Sequence, residues 1–173
     1  AEIPPKRNWL NEYCLRYAAL NGFKYNPPKK HPFNPLAALR MSLKEVSGDD
    51  QLRVIDSIFK GGWSHGADLG DLSTLISLLT KESIDGESLS HKILDLNIKE
   101  LLINETSYAI EKGVFGVPTI IIDDNLFWGN DQMDHIELLL DGKDPLDRER
   151  LNDHERPRAI DRKAFKKKIK NDL

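Results

Sequence analysis

The sequence predicts an α/β chain that is mostly α-helical and contains one β-hairpin. Apolar side chains recur at three- and four-residue steps in most segments between residues 8 and 111, the spacing of one helix face. The period then changes, because residues 119–122 (Thr-Ile-Ile-Ile) are β-branched throughout and favour a strand. A turn at residues 123–125 and a second apolar run at residues 126–128 complete the hairpin.

Helical spacing, caps and stop signals predict the remaining elements. Asp49 or Asp50 caps the third helix, Ser88 a short helix before residue 97, and Asn130 or Asp131 the last helix. The predicted helices cover residues 8–20, 36–46, 50–60, 71–80, 97–111 and 132–140.

Two stretches between these helices predict loops. Residues 26–35 contain four prolines, which prevent a regular ladder and stiffen an extended segment. Residues 61–66 (Gly-Gly-Trp-Ser-His-Gly) predict a glycine-rich connection. They do not form a phosphate-binding loop, because the Gly-Lys-Ser/Thr ending is missing.

Composition excludes several classes of protein. The 173 residues carry 25 Lys and Arg against 28 Asp and Glu, a net charge of −3, which excludes a generally basic nucleic-acid binder. No apolar run approaches the ~20 residues of a membrane span. The single cysteine, Cys14, excludes an internal disulfide and fits a reducing compartment, so we expect a cytoplasmic protein with a buried structural thiol at that position. The five histidines lack metal-ligand spacing, and we expect no metal.

Charge separates the end of the chain from the rest. Residues 147–173 contain ten Lys and Arg against six Asp and Glu. We expect a charged helical tail over residues 143–173, after a domain edge near Gly142. A solvated tail and a tail that contacts an anion or a partner both fit this pattern.

The predicted strand over residues 119–122 is apolar enough to be covered on both faces. An interior strand needs a neighbour on each side, and the chain offers one. We therefore expect the rest of the sheet to come from outside these residues.

The segment before this strand, residues 113–119 (Gly-Val-Phe-Gly-Val-Pro-Thr), carries the main functional signal. A proline at the start of a core strand is disfavoured unless the chain bends there, as a cis bond allows. A cis bond before Pro118 exposes the N–H and C=O of Val117, which can pair with an extended peptide-like ligand. A plain turn proline is the alternative.

This string, followed by residues 127–133 (Phe-Trp-Gly-Asn-Asp-Gln-Met), resembles the 2-hydroxychromene-2-carboxylate isomerase family. These proteins are relatives of kappa-class glutathione transferases in the DsbA-like thioredoxin superfamily. Trp63 and the segments at residues 67–71 and 32–40 also resemble that family, and the resemblance covers about residues 2–141.

The resemblance implies a thioredoxin-like fold with a large α-helical insertion. Residues 1–112 would form the helical insertion domain, and residues 113–142 the C-terminal part of the thioredoxin-like domain. The family's first strand–helix–strand unit, which carries its catalytic serine, has no counterpart here. We therefore expect that serine upstream of this chain, and the catalytic residue is unassigned.

The resemblance also implies a glutathione-dependent isomerase that acts on a small aromatic-derived molecule, as a homodimer. Val117 and Pro118 would bind the cysteinyl part of glutathione, and Asn130 and Asp131 its γ-glutamyl group. The last two residues also suit simple helix capping.

A substrate pocket is a weaker expectation, and it involves Lys30, His31, Trp63 and Trp128. Lys29, Lys30 and His31 in the proline loop could meet an anionic aromatic substrate, although a solvated loop is the simpler interpretation. Trp63, His65 and Trp128 equally suit ordinary packing.

Other functions remain open at this point. A kappa-type glutathione transferase would use the same glutathione site. A DsbA-like thiol–disulfide oxidoreductase would need a Cys-x-x-Cys pair upstream of Ala1. A binding or scaffold protein without an active-site unit would not be stabilised by glutathione.

Overall fold

The computed structural model describes residues 3–152, which form helices and one antiparallel pair of strands. Short 3₁₀ turns occur at Gly48–Asp50 and Asn130–Gln132. No helix within residues 3–152 is long and apolar enough to cross a membrane. The elements are α1 Pro4–Leu20, α2 Leu36–Met41, α3 Lys44–Ser47, α4 Gln51–His65, α5 Leu72–Lys81, α6 Gly86–Lys92, α7 Leu96–Glu111, β1 Thr119–Ile122, β2 Asn125–Trp128, α8 Met133–Leu140 and α9 Arg148–Asn152.

The chain divides into two compact units between Lys112 and Gly113. The N-terminal unit holds α1 to α7, and its core lies among α2 to α6. Met41, Leu75 and Leu79 are fully buried there. The C-terminal unit holds the hairpin, α8 and α9. The rest of the expected tail, residues 153–173, lies outside the described residues.

Helix α4 runs through the segment expected to be a glycine-rich connection, so that expectation is wrong. Gly61 and Gly62 are buried inside the helix, and only Gly66 ends it, with a left-handed φ of 71°. A Cβ on Gly61 would collide with the side chain of Leu78, and one on Gly62 with Leu69. These glycines therefore permit close packing onto α4 and do not break it.

The helix expected over residues 36–46 is two helices, α2 and α3. Leu43 between them is extended, with φ −69° and ψ 141°. In one continuous helix, Met41 and Val46 would point about 140° apart. The break allows both side chains into the core, where their exposed fractions are 0% and 1%.

Several helix starts differ from the expected ones. Helix α1 begins at Pro4, because proline suits a first turn whose N–H groups have no partner within the helix. Asp85, and not Ser88, caps α6: its carboxylate accepts a hydrogen bond from the Ser88 amide. Asp50 precedes α4 without a side-chain capping bond.

The hairpin is present, and its second strand begins at Asn125, one residue earlier than expected. Asp123 and Asp124 form a two-residue loop with φ of 45° and 65°, and Asn125 already pairs with Ile122. Positive φ at both loop positions gives a turn whose twist matches that of the strands. Burial of β1 on both faces is not found, because Ile121 is 43% exposed.

The first prediction concerns Gly86, which is buried at the start of α6. A Cβ there would lie 2.8 Å from the carbonyl oxygen and 2.9 Å from the Cα of Ile76. Main-chain atoms of α5 cannot turn aside as a side chain can. We therefore expect Gly86→Ala to lower the free energy of unfolding by about 1–3 kcal/mol, despite the better helix propensity of alanine.

Urea unfolding followed by circular dichroism measures this loss. Glu87→Ala is the matched control, because it changes the adjacent exposed position of the same helix and should stay within about 0.5 kcal/mol of the parent protein. Equal stability of the Gly86→Ala and Glu87→Ala proteins would contradict the close approach of α5 and α6.

The second prediction concerns Asp71, the cap of α5. Its carboxylate accepts hydrogen bonds from the hydroxyls of Ser73 and Thr74 and from the Thr74 amide, which lower its pKa to about 2. Because the folded pKa lies below the ordinary value, the cap stabilises the fold above pH 4 and loses its effect as the pH falls towards 2.

A carboxyl titration of Asp71 by NMR should give a midpoint near pH 2. The matched variant Asp71→Asn keeps an oxygen acceptor and cannot titrate. Its stability should therefore change less than that of the parent protein between pH 4 and pH 2. An ordinary carboxyl midpoint near pH 4 would show that the hydroxyl contacts do not form in solution.

Candidate functional site

The loop before β1 leaves backbone groups without partners within residues 3–152, and those of Val117 lie between two paired carbonyls. The carbonyl of Gly116 accepts a hydrogen bond from the Thr119 hydroxyl at 2.6 Å, and the carbonyl of Pro118 accepts one from the Gly129 amide at 3.0 Å. Between them, the N–H and C=O of Val117 make no hydrogen bond within residues 3–152. The Val117 side chain is 85% exposed, and its peptide bond to Pro118 is cis.

The hairpin brings this loop beside the start of the last helix. Thr119 pairs with Trp128 at the end of the ladder, and the bond from Gly129 to Pro118 extends the pairing by one step. Asn130 follows Gly129 directly, as Val117 precedes Pro118. The segments around Val117 and Asn130, which only a sequence motif had connected, are therefore neighbours in space.

Asn130 and Asp131 do not cap α8, which corrects one expectation. They lie in the 3₁₀ turn before that helix, and Gln132 occupies the cap position without a side-chain bond. Both side chains are exposed and make no hydrogen bond or ion pair within the described residues. The carboxylate of Asp131 lies against Gly129, whose φ of 109° suits glycine.

An aromatic pair lies beside the Val117 peptide. The rings of Phe115 and Trp128 are 5.2 Å apart between centroids, tilted by 58°. Trp128 was expected at a substrate pocket, whereas Phe115 was not singled out. Exposure could not be inferred from the sequence, since an apolar residue next to a predicted core strand normally packs inside.

The other expected pocket residues lie in the N-terminal unit. The His31 ring contacts Phe33 and Trp63 edge-on, with centroids 5.9 and 5.5 Å apart. The Lys30 ammonium lies 3.4 Å from the Asp68 carboxylate on the surface, beside a cavity of about 390 Å³. His31 and Trp63 therefore form one cluster, and Trp128 belongs to the other unit. A second cis bond, before Pro32, was not foreseen.

The N-terminal unit also contains a polar cavity and a half-buried cysteine. A cavity of about 650 Å³ between α4 and α5 is lined mainly by polar side chains, among them Ser73, Ser77 and Lys60, and it carried no sequence signal. Cys14 is only half-buried. Burial, together with the neighbouring Cys14 thiol, raises the pKa of Tyr25.

A known domain family matches most of the chain. A DSBA-like thioredoxin domain matches residues 1–141. A solved structure of selenomethionine 2-hydroxychromene-2-carboxylate isomerase superposes with a TM-score of 0.72 at 24% identity, over 80% of this chain and 68% of that one. The fold is therefore a DsbA-like thioredoxin fold, mostly helical, with a two-stranded antiparallel sheet in the described residues.

Two relatives identified by sequence have the same name as the protein in that solved structure. A 2-hydroxychromene-2-carboxylate isomerase of Sphingobium xenophagum is 28% identical over 141 residues, which is 80% of this chain and 70% of that protein. One of Pseudomonas putida is 33% identical over 85 residues, 48% of this chain and 41% of that protein. The second alignment thus spans less than half of the relative's length.

The third prediction tests the packing of Trp128 on the loop. A Cβ on Gly116 would lie 2.5 Å from the indole Nε1 of Trp128. We expect Gly116→Ala to displace the indole and to shift its N–H signal in a ¹H–¹⁵N spectrum. The indole signals of Trp9 and Trp63, which lie in the other unit, serve as internal references. An unmoved Trp128 signal would contradict the contact.

Proposed function

The chain belongs to the DSBA-like thioredoxin domain family, and we propose that it acts as a glutathione-dependent isomerase on a small aromatic-derived molecule. The observation that carries the proposal is the N–H and C=O of Val117, which lie near the exposed side chains of Asn130 and Asp131, all without partners within residues 3–152. The relatives are named as isomerases, which supports an isomerase activity for this chain.

Glutathione is a tripeptide, so its backbone can pair with the N–H and C=O of Val117. A main-chain N–H and C=O on the same residue pair with an extended ligand as one strand pairs with another. The carbonyls of Gly116 and Pro118 each accept a hydrogen bond, whereas the N–H and C=O of Val117 have no partner within residues 3–152. Main-chain pairing at Val117 would hold the cysteinyl residue of glutathione beside Pro118.

The γ-glutamyl end of glutathione carries an α-ammonium and an α-carboxylate. The Asp131 carboxylate can accept charge-assisted hydrogen bonds from the ammonium. The Asn130 amide and the N–H groups that open α8 can donate to the carboxylate. The turn at Asn130–Gln132 follows the hairpin directly, so one short segment presents both chemistries beside Val117.

When bound, glutathione supplies a nucleophilic thiol. The residues of this chain would orient that thiol by fixing the peptide on either side of it. A redox pair would need a second cysteine, and the chain contains only Cys14. A disulfide exchange between two cysteines of these 173 residues is therefore excluded, and the role that we propose for the Val117 backbone is to position the bound thiol for an isomerisation.

The fourth prediction is that glutathione binds with a dissociation constant of about 1 mM or tighter, measured by isothermal titration calorimetry. Asp131→Asn should weaken binding by about three- to tenfold, because it removes the charge of an exposed charge-assisted contact. Asp134→Asn is the matched control, since Asp134 is an exposed acid in the first turn of α8, and we expect it to bind as the parent protein does.

Amide hydrogen exchange provides a second readout at the main chain. Saturating glutathione should slow exchange at the Val117 amide, which has no partner within residues 3–152 in the free protein. Absence of any binding at 10 mM glutathione (about ten times the weakest expected constant) would refute the proposal. Equal weakening by Asp131→Asn and Asp134→Asn would refute the role of Asp131.

A further inference from the structure

The N-terminal unit contains a cavity of about 650 Å³ that the proposed function does not use. It lies between α4 and α5, two helices of the same unit, so it forms without the strands that we expect to pair with β1. Its volume is within the range of small-molecule sites, about 300–1,000 Å³. The charged and titratable side chains along it are Asp56, Lys60, His65, Lys81 and Glu82.

Direct contact between α4 and α5 holds the two walls of the cavity together. Gly61 of α4 is buried, and the side chain of Leu78 from α5 occupies the space that a Cβ at position 61 would need. The hydroxyl of Ser57, a residue that is 7% exposed, donates a hydrogen bond to the Leu78 carbonyl at 3.3 Å. The side chains on either side of this contact are therefore carried by two helices with a fixed separation.

Two carboxylates in the cavity share one ammonium group. The Lys60 ammonium lies 2.7 Å from the Asp56 carboxylate. The hydrogen bond from Lys60 to Asp56 and the charge of Asp56 raise the pKa of Lys60, and the charge of Glu82 raises it further. Glu82 thus lies within the electrostatic reach of Lys60, but its carboxylate makes no hydrogen bond or ion pair within residues 3–152. This part of the cavity therefore has one negative charge more than it has positive charges.

Two donors on α5 have no partner in the part of the chain that the structure describes. The Lys81 ammonium and the Ser77 hydroxyl both line the cavity, and neither makes a hydrogen bond or ion pair within residues 3–152. Their spacing of four residues places them on one face of α5, one turn apart. The cavity therefore offers an unpaired positive group beside a hydroxyl, together with the surplus negative charge near Lys60.

We propose that this cavity binds a small zwitterion of the α-amino acid class. Lys81 and Ser77 would donate charge-assisted hydrogen bonds to the ligand carboxylate, and Glu82 would accept them from the ligand ammonium. Because two lysines face two carboxylates, a simple anion would leave Glu82 unpaired and a simple cation would leave Lys81 unpaired. A ligand that carries both charges satisfies both groups, and this binding does not depend on the site proposed at Val117.

The test uses L-alanine as the probe, with propionate and ethylamine as its matched fragments, each titrated into the protein by ¹H–¹⁵N NMR. Propionate has the carboxylate without the ammonium, and ethylamine has the ammonium without the carboxylate. We expect L-alanine to shift the amide signals of Lys60, Ser77 and Lys81 and to bind about three- to tenfold more tightly than either fragment. Equally tight binding of either fragment would overturn the zwitterion site. So would the absence of shifts in α4 and α5 at about 50 mM L-alanine, far above a millimolar constant.

Single substitutions locate each end of the ligand. Lys81→Gln and Glu82→Gln should each weaken L-alanine binding by about three- to tenfold, because each removes one charge from an exposed position that the fold does not depend on. Lys81→Gln should leave ethylamine binding unchanged, and Glu82→Gln should leave propionate binding unchanged. The matched controls Lys24→Gln and Glu100→Gln change exposed residues elsewhere in the same unit and should bind L-alanine as the parent protein does. Equal affinities in the two variants and their controls would overturn the site.

The same spectra separate this site from the one proposed for glutathione, which also carries an α-amino acid end. Glutathione at its proposed site should slow exchange at the Val117 amide, whereas a zwitterion in the cavity should shift signals of α4 and α5. Slowed exchange at Val117 with glutathione, but no shifts in α4 and α5 with L-alanine, would overturn the cavity site alone. Shifts in α4 and α5 with L-alanine, but unchanged exchange at Val117 with glutathione, would support the cavity site and overturn the proposed function.

Discussion

The hydrogen bond from the Gly129 amide to the Pro118 carbonyl, at 3.0 Å, is the constraint on which the candidate site depends. It extends the β1–β2 ladder by one step beyond the pair of Thr119 and Trp128. Without it, the loop that carries Val117 and the turn that carries Asp131 would be joined only through the pair of Thr119 and Trp128, one step further away. With it, the pairing reaches Pro118 and Gly129, the residues directly next to Val117 and Asn130.

Close approach of neighbouring atoms to glycine residues explains part of the packing and one error made from the sequence. Gly61, Gly62, Gly86 and Gly116 all occupy places where a Cβ would strike a neighbour. Glycine in a sequence is ordinarily interpreted as a break, and that interpretation placed a loop where α4 continues. A sequence shows that a side chain is missing, but it does not show whether the space is used for a turn or for a neighbouring helix.

The elements that could be predicted are those determined by local chemistry. The hairpin follows from a β-branched run and a turn, and α5 from a capping Asp71 before a periodic apolar segment. The break at Leu43 could not be predicted, because it serves the burial of Met41 and Val46 in a core built from distant helices. The same limit applies to the site: the Val117 loop carries a motif, whereas the exposure of Phe115 depends on what packs nearby.

The candidate site also differs in kind from one built on catalytic side chains. Val117 contributes main-chain atoms, so its position depends on Pro118, on the Gly129 pairing and on the small size of Gly116, while its own side chain is 85% exposed. Under the proposed function, main-chain pairing at Val117 would accept extended peptides in general, so specificity would have to come from neighbouring side chains. Asp131 is the exposed charged residue that follows the hairpin most closely, next to Gly129. A peptide-like thiol carrier with a charged end would satisfy both requirements, which is the physical reason for proposing glutathione over a ligand without a peptide backbone.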